Sequence, residues 1–156
     1  MREKITEMTE ADLPEVMELE REIFSWPWTE EFFLDELGRG FSHIFLARDA
    51  DGALVGFVCF WALLDEAHIL NLAVRENYRR RGIGKKLVLE ALKYAKRRGA
   101  KGASLEVREK NTAAIAFYGS LGFERAGLRK RYYDSPPDNA VIMRLYDIAR
   151  AGTKIP

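Results

Sequence analysis

The chain has 156 residues, 25 Lys+Arg against 24 Asp+Glu, with 47% hydrophobic and 31% charged residues. That length suits one domain, the composition suits a soluble globular protein with a core, and the balanced charge lacks the basic surplus of a nucleic-acid binder. The single cysteine, Cys59, cannot close an internal disulfide and points to an intracellular chain. Lying in an apolar run, it reads as a small core hydrophobe rather than a catalytic thiol. Met1-Arg2-Glu3-Lys4 carries no apolar signal segment, and no apolar run approaches the ~18 residues that cross a membrane. The expected location is therefore the cytoplasm.

Residues 4–8 read as a short strand. Thr9 with Asp12 three residues on is close to a capping box, and Leu13, Val16, Met17, Leu19, Ile23 and Phe24 fit one face of the helix that follows. Trp26-Pro27-Trp28 breaks that helix; Thr29 caps a second short one carrying Phe32, Phe33 and Leu37, closed by Gly38 and Gly40. Residues 41–48 form a strand, Asp51-Gly52 a hairpin turn, 53–64 a long second strand and 67–74 a third, in an antiparallel meander. The period turns helical over 82–98, where Ile83, Leu87, Val88, Ala91, Tyr94 and Ala95 share a spacing and Gly99 is the stop. A strand at 101–108, a helix at 111–121 ended by Gly122, and strands around 123–133 and 140–146 complete the order. A loop with Ser135-Pro136-Pro137-Asp138 joins the last two.

With no internal repeat, low-complexity tract or linker, residues 1–147 read as one domain and 148–156 as a C-terminal tail that looks frayed at Arg150-Ala151-Gly152-Thr153. The order predicts an α/β protein of α+β type: a mixed central sheet of about seven strands with about four helices on its faces. The crossover from 67–74 through a helix to 101–108 makes those two strands parallel.

The most informative stretch is Asn71-Leu72-Ala73-Val74 followed by Arg79-Arg80-Arg81-Gly82-Ile83-Gly84-Lys85. It is a strand, a short loop with two glycines, and a helix start. Glycines let backbone N–H groups approach an anion, the helix start adds free donors and a favourable dipole, and the cations complete a site for a pyrophosphate. A P-loop needs G-K-[ST], but Gly84 is followed by Lys85-Lys86; a dinucleotide fingerprint needs a third glycine, and Leu87 stands there. The pattern that remains is Arg79-x-x-Gly82-x-Gly84, after a meander and before a long amphipathic helix. Taken alone, it also fits a glycine-rich turn with solvated arginines.

That pattern resembles the acetyl-CoA signature of the Gcn5-related N-acetyltransferases. The resemblance runs from Ile5 to about Leu145 and is narrower still to the ribosomal-protein-alanine N-acetyltransferases (RimI type). It is carried by Phe24-Ser25-Trp26-Pro27-Trp28-Thr29, Leu64-Asp65-Glu66-Ala67, Leu105-Glu106-Val107-Arg108, Asn111 through Tyr118, Leu121-Gly122-Phe123 and Arg129-Lys130-Arg131-Tyr132-Tyr133. It implies the GNAT fold and acetyl-CoA as co-substrate. Leu72, Ala73 and Val74 would hold the pantetheine, with the Val74 N–H on the thioester carbonyl as an oxyanion donor. Arg79, Arg80, Arg81, Gly82, Ile83, Gly84 and Lys85 would hold the pyrophosphate, and Asn111 would add a cofactor contact, although Asn is also a favoured N-cap. Tyr118, about two turns beyond Asn111, would be the general acid for the leaving thiolate and Glu106 the general base.

Read without the resemblance, Tyr118 is a core tyrosine and Glu106 one half of an ion pair with Arg108 or across strands. The resemblance further implies that Trp26, Trp28, Tyr132 and Tyr133 would wall the acceptor, and Asp134 and Asp138 could attract an amine; read alone, the tryptophans fit packing between helices equally well and the two acids fit a solvated loop. No metal is expected, and His68 is expected to have no special role.

The acceptor the resemblance implies is the N terminus of a protein, a ribosomal protein starting with Ala first among them, or Ser and Met N termini more broadly. Alternatives are a lysine side chain or a small-molecule amine, and, in another class, a non-catalytic CoA- or RNA-binding module. Exposed aromatics or a known module for reading bases are missing, so no dedicated nucleic-acid site is expected. The chain is expected to be a monomer or weak dimer with no membrane partner.

Overall fold

The structure is a computed structural model that describes residues 3–152. In chain order the elements are β1 Lys4–Glu7, α1 Leu13–Ile23, α2 Glu30–Leu37, β2 Ser42–Arg48, β3 Leu54–Leu63, β4 Glu66–Val74, α3 Ile83–Arg97, β5 Gly102–Arg108, α4 Thr112–Ser120, β6 Glu124–Asp134 and β7 Pro137–Leu145. Single 3-10 turns sit at Glu10–Asp12, Glu76–Tyr78 and Ile148–Arg150. The strands form one mixed sheet in the order β1-β2-β3-β4-β5-β7-β6. The crossover pair is parallel, from Glu66↔Gly102 to Ile69↔Leu105, and β1/β2, β2/β3, β5/β7 and β6/β7 are antiparallel. Among the described residues no helix is long and apolar enough to cross a membrane.

The chain forms two compact units. One takes the chain up to Trp61 with Leu70–Ala91; the other takes Ala62–Ile69 with the chain from Leu92 onward.

In the first unit, Pro14 near the start of α1 sets a helical φ where no intrahelical N–H is required, and the Asp12 carboxylate accepts the Thr9 N–H at 2.8 Å. The apolar spacing of α1 then buries Leu13, Val16, Met17 and Leu19 with Phe33 of α2 and with Ile44, Leu46, Phe57 and Cys59 of β2 and β3. Each such side chain contributes about 1.5–3 kcal/mol when fully buried. The α2 N terminus is capped as its sequence predicts, the Thr29 hydroxyl accepting the Phe32 N–H at 3.2 Å. β3 is one residue shorter at each end than expected: at its far end Leu64 takes φ 57 and lies 85% exposed in the turn to β4. Gly56 is where β3, β4 and α3 meet. A Cβ there would stand 2.9 Å from the Ala73 carbonyl oxygen and 3.2 Å from Leu87 Cδ1.

In the second unit β5 pairs with β7 over six residue pairs, from Ala103↔Leu145 to Arg108↔Ala140. The loop expected around Ser135 is a tight turn instead: β6 runs to Asp134 and β7 starts at Pro137, paired Asp134↔Pro137. Proline is tolerated at that first position of a strand. The tail differs as well. Ile148 is buried, its N–H donates to the Lys101 carbonyl at 2.8 Å, and the Gly152 N–H donates to the Leu121 carbonyl at 3.0 Å. Residues 148–152 are therefore docked rather than frayed, and 153–156 lie outside the described residues.

Two outcomes follow from this packing. Gly56→Ala is expected to lower stability by about 1–3 kcal/mol, because the added methyl meets backbone that cannot rotate away. A urea titration should show a lower midpoint with an unchanged slope. Cys59 is fully buried, and burial pushes its thiol up to about 12. The native protein should leave Ellman's reagent unreacted, and the unfolded protein should release one equivalent.

Candidate active site

At the end of β4 the backbone alternates. The Arg75 N–H donates to the Val55 carbonyl at 2.8 Å, and the Ala73 carbonyl lies against Gly56 on β3. Backbone groups of neighbouring residues in a strand point to opposite edges, so the N–H of Val74 turns away from β3. The Val74 carbonyl accepts Arg79 Nε at 3.2 Å. Leu72 and Val74 are half-buried, and Ala73 faces the core.

The loop that follows is shaped by two left-handed residues, Arg80 at φ 64 and Gly82 at φ 80. Left-handed residues alternating with ordinary ones aim successive N–H groups at one point, which favours an anion. α3 opens at Ile83, itself buried, and nothing approaches within 4 Å of the Gly82 Cβ position. Arg79, Arg80, Arg81 and Lys85 are exposed around this open backbone, and the donor set fits a pyrophosphate.

The loop is anchored by residues the sequence did not single out. The Tyr78 hydroxyl donates to Asp49 Oδ2 at 2.9 Å, and Arg81 lies 5.0 Å over the Tyr78 ring. Asp49 Oδ1 accepts the N–H groups of Ala53 and Asp51 at 3.0 and 2.9 Å. These donors, Ala53 first, hold the Asp49 carboxyl below its ordinary range. Asp before a Gly turn is the usual signal for such bonds.

Glu106 sits on β5 in the alternation that buries Leu105 and Val107 and leaves Ser104, Glu106 and Arg108 partly open. Its Oε1 lies 2.9 Å from Nε2 of His68 on β4. His68, expected to have no special role, is thus the partner of the candidate base. The parallel register His68↔Ser104 explains it, because residues in register share a face with the next alternate position. Arg108 does not pair with Glu106. Its guanidinium donates to the carbonyls of Pro136 and Ser135 at 2.7 and 3.1 Å and lies 4.2 Å over the Tyr133 ring. Burial, with Tyr132 and Glu106 nearby and against the opposing effect of Arg108, pushes the Tyr133 phenol up to about 12.

Asn111 caps α4, its Oδ1 accepting the Ala114 N–H at 3.1 Å. The cap reading therefore holds for this residue, and its exposure leaves it open to a ligand. Tyr118 is 6% exposed, edge-on to Phe117 and Phe123 at 5.0 and 5.6 Å, and burial lifts its phenol well above the ordinary range. It therefore stays protonated at neutral pH. Asp138 is not a free anion: it accepts the N–H groups of Lys110 and Asn139. Asn139, missed from sequence, ties the Glu109 carboxylate to the Arg131 N–H at 3.0 and 2.9 Å.

The two tryptophans part company. Trp28 is half-buried and packs at a tilt against Phe32 and Phe33, ring centroids 4.3 and 5.2 Å apart, so it fills the helix junction, whereas Trp26 is 65% exposed. Tyr132 is exposed and Tyr133 half-buried, their rings 5.0 Å apart. Beneath the tryptophans lies Glu20, 1% exposed. Its Oε2 accepts the Trp28 N–H at 2.8 Å and its Oε1 accepts Asn71 Nδ2 at 2.9 Å. Burial raises its carboxyl pKa, and those two bonds oppose the rise. Its sequence signal was a Glu at helical spacing from Val16 and Met17, on the apolar face of α1.

The sequence profile of the acetyltransferase (GNAT) family matches residues 13–123. The ribosomal protein bS18-alanine N-acetyltransferase of Escherichia coli strain K12 is 34% identical over 143 residues, covering 90% of this chain and 95% of that protein. The crystal structure of the ribosomal-protein-S18-alanine N-acetyltransferase from Escherichia coli matches with a TM-score of 0.85 and 33% identity, covering 99% of each chain. The PaiA N-acetyltransferase from Thermoplasma acidophilum, solved in complex with coenzyme A, matches with a TM-score of 0.76 and 26% identity over 94% of this chain and 99% of that one. With its mixed seven-stranded sheet and glycine-arginine loop after β4, the chain belongs to the GNAT family of acetyltransferases.

Proposed function

We propose that this protein acetylates the free N-terminal amine of a protein, using acetyl-CoA, and that a ribosomal protein beginning with alanine is its first candidate acceptor. The observation that carries this reading is the end-to-end likeness to the Escherichia coli bS18-alanine enzyme. When bound, acetyl-CoA supplies an acyl group activated as a thioester. The loop from Arg79 to Lys85 holds the pyrophosphate through its backbone N–H groups and cations. The edge of β4 at Leu72, Ala73 and Val74 pairs with the pantetheine, and the Val74 N–H, turned away from β3, donates to the thioester carbonyl. Asn111 adds a contact from the start of α4.

A protein α-amine has a pKa near ~8, so a modest base suffices. Glu106, held by His68, accepts the proton as the amine nitrogen bonds to the acyl carbon. The carbon–sulfur bond breaks, and Tyr118 gives its proton to the sulfur. Trp26, Tyr132 and Tyr133 are the proposed acceptor contacts, and Trp28 packs the junction of α1 and α2.

The test mixes the protein with acetyl-CoA and peptides starting with Ala, Ser or Met, the same peptides N-blocked with a free lysine, and spermidine. Thiol release and peptide mass are read together. Only free N termini should gain an acetyl group. Glu106→Gln and Tyr118→Phe should each lower kcat/KM tenfold or more, since general acid–base steps contribute about 10²–10⁴-fold. Acetyl-CoA binding with no amine modified would sink the enzymatic reading, and lysine acetylation alone would sink the N-terminal one.

Tyr118 also makes a stability prediction. Its folded pKa lies above the ordinary 10.0, so the fold favours its protonated form. That stability is complete below the unfolded pKa and is lost as pH rises beyond it. Above pH ~10 the urea midpoint of the wild type should fall more steeply than that of Tyr118→Phe.

A further inference from the structure

We propose that Glu20 is a positioning residue that ties the acceptor-binding segment between α1 and α2 to the strand that holds the acetyl donor. The inference rests on the proposed roles of residues 26–28 and 72–74. Its own evidence is the geometry around one buried carboxylate.

Glu20 occupies the apolar face of α1, among Val16, Met17 and Leu19, and is 1% exposed. A carboxylate there loses its water, and an apolar side chain would fill the space at less cost. What the carboxylate supplies is two acceptors for two donors on different elements. Oε2 takes the main-chain N–H of Trp28 at 2.8 Å, and Oε1 takes the side-chain amide of Asn71 at 2.9 Å. Trp28 ends the Trp-Pro-Trp segment and precedes the Thr29 cap of α2. Asn71 is the residue before Leu72 on β4. One side chain thus joins the place where the acceptor chain is expected to lie to the place where the thioester is expected to lie. Attack geometry tolerates little misplacement between those two.

The hydrogen-bond chemistry gives a specific test. A carboxylate only accepts, so it matches two donors. Glu20→Gln keeps the volume but presents an N–H₂ to one of those donors, breaking one bond. Asn71→Asp alone places two carboxylates together. Combined, the two substitutions restore the match with roles reversed: the new amide oxygen accepts the Trp28 N–H, and the new amide nitrogen donates to the new carboxylate.

The experiment compares wild type, Glu20→Gln, Asn71→Asp and the double variant. It reads peptide kinetics with an Ala-initiated peptide, acetyl-CoA affinity by calorimetry, and exchange of the Trp28 amide by NMR. Glu20→Gln should lower kcat/KM for the peptide tenfold or more and shift acetyl-CoA Kd less than twofold. It should also speed Trp28 amide exchange at least tenfold, and the double variant should recover most of both losses. The proposal is overturned if Trp28 exchange and peptide kinetics are unchanged in Glu20→Gln, or if the folded double variant is no better than the worse single variant. If the wild type acetylates no peptide, the N-terminal reading fails by itself. The tie then stands or falls on Trp28 exchange and its recovery in the double variant.

Discussion

The hydrogen bond from the Arg75 N–H to the Val55 carbonyl settles the direction of every backbone group at the end of β4. Strand geometry alternates, so fixing one residue fixes its neighbours. With Arg75 and Ala73 turned toward β3, Val74 presents its N–H on the other edge. Gly56 makes this approach possible, since a methyl group would collide with the Ala73 carbonyl and with Leu87 of α3. The same contact seats α3, so the helix start and its arginine-rich loop follow directly from where β4 ends. The shape of the loop backbone is therefore a product of close strand and helix packing, and its cations add charge to a shape already made.

Buried carboxylates perform a second task, holding irregular segments. Glu36 accepts the Ser42 hydroxyl at 2.8 Å and the Trp61 indole N–H at 2.6 Å, pinning α2 to β2 and β3. Asp49 fastens the β2–β3 turn and the Tyr78 hydroxyl. Glu20 fastens the Trp28 main chain and Asn71. In each case a charge that would be costly alone is matched with donors from separate elements. In the second unit, arginine and histidine work on the same principle. His68 fixes the Glu106 carboxylate, and Arg108 spans the Ser135 and Pro136 carbonyls, which keeps the β6–β7 turn tight and the Tyr133 ring in place.

What the sequence by itself determined was local. Period-3.6 runs placed α1 and α3, alternation placed β5, Thr29 and Asn111 marked helix starts, and Gly99 marked the stop of α3. Arg79-x-x-Gly82-x-Gly84 was legible because its residues are neighbours in one loop. The order of elements also carried the parallel β4/β5 pair, since a crossover through a helix leaves little alternative.

Only the tertiary structure decided the pairings. His68 and Glu106 are 38 residues apart, and Glu20 and Asn71 are 51 apart. No local rule links such residues until register and packing bring them together. The alternative reading of Glu106 left its ion-pair partner open between Arg108 and a residue across strands; the cross-strand partner is His68, and Arg108 turns to carbonyls that sequence does not show. The segment beyond Asp147 looked frayed because Arg150-Ala151-Gly152-Thr153 carries no apolar periodicity. Its bonds go to Lys101 and Leu121, whose backbone groups become available only once β5 and α4 are formed. Local propensity wrote the elements; long-range hydrogen bonds chose which side chains hold them together.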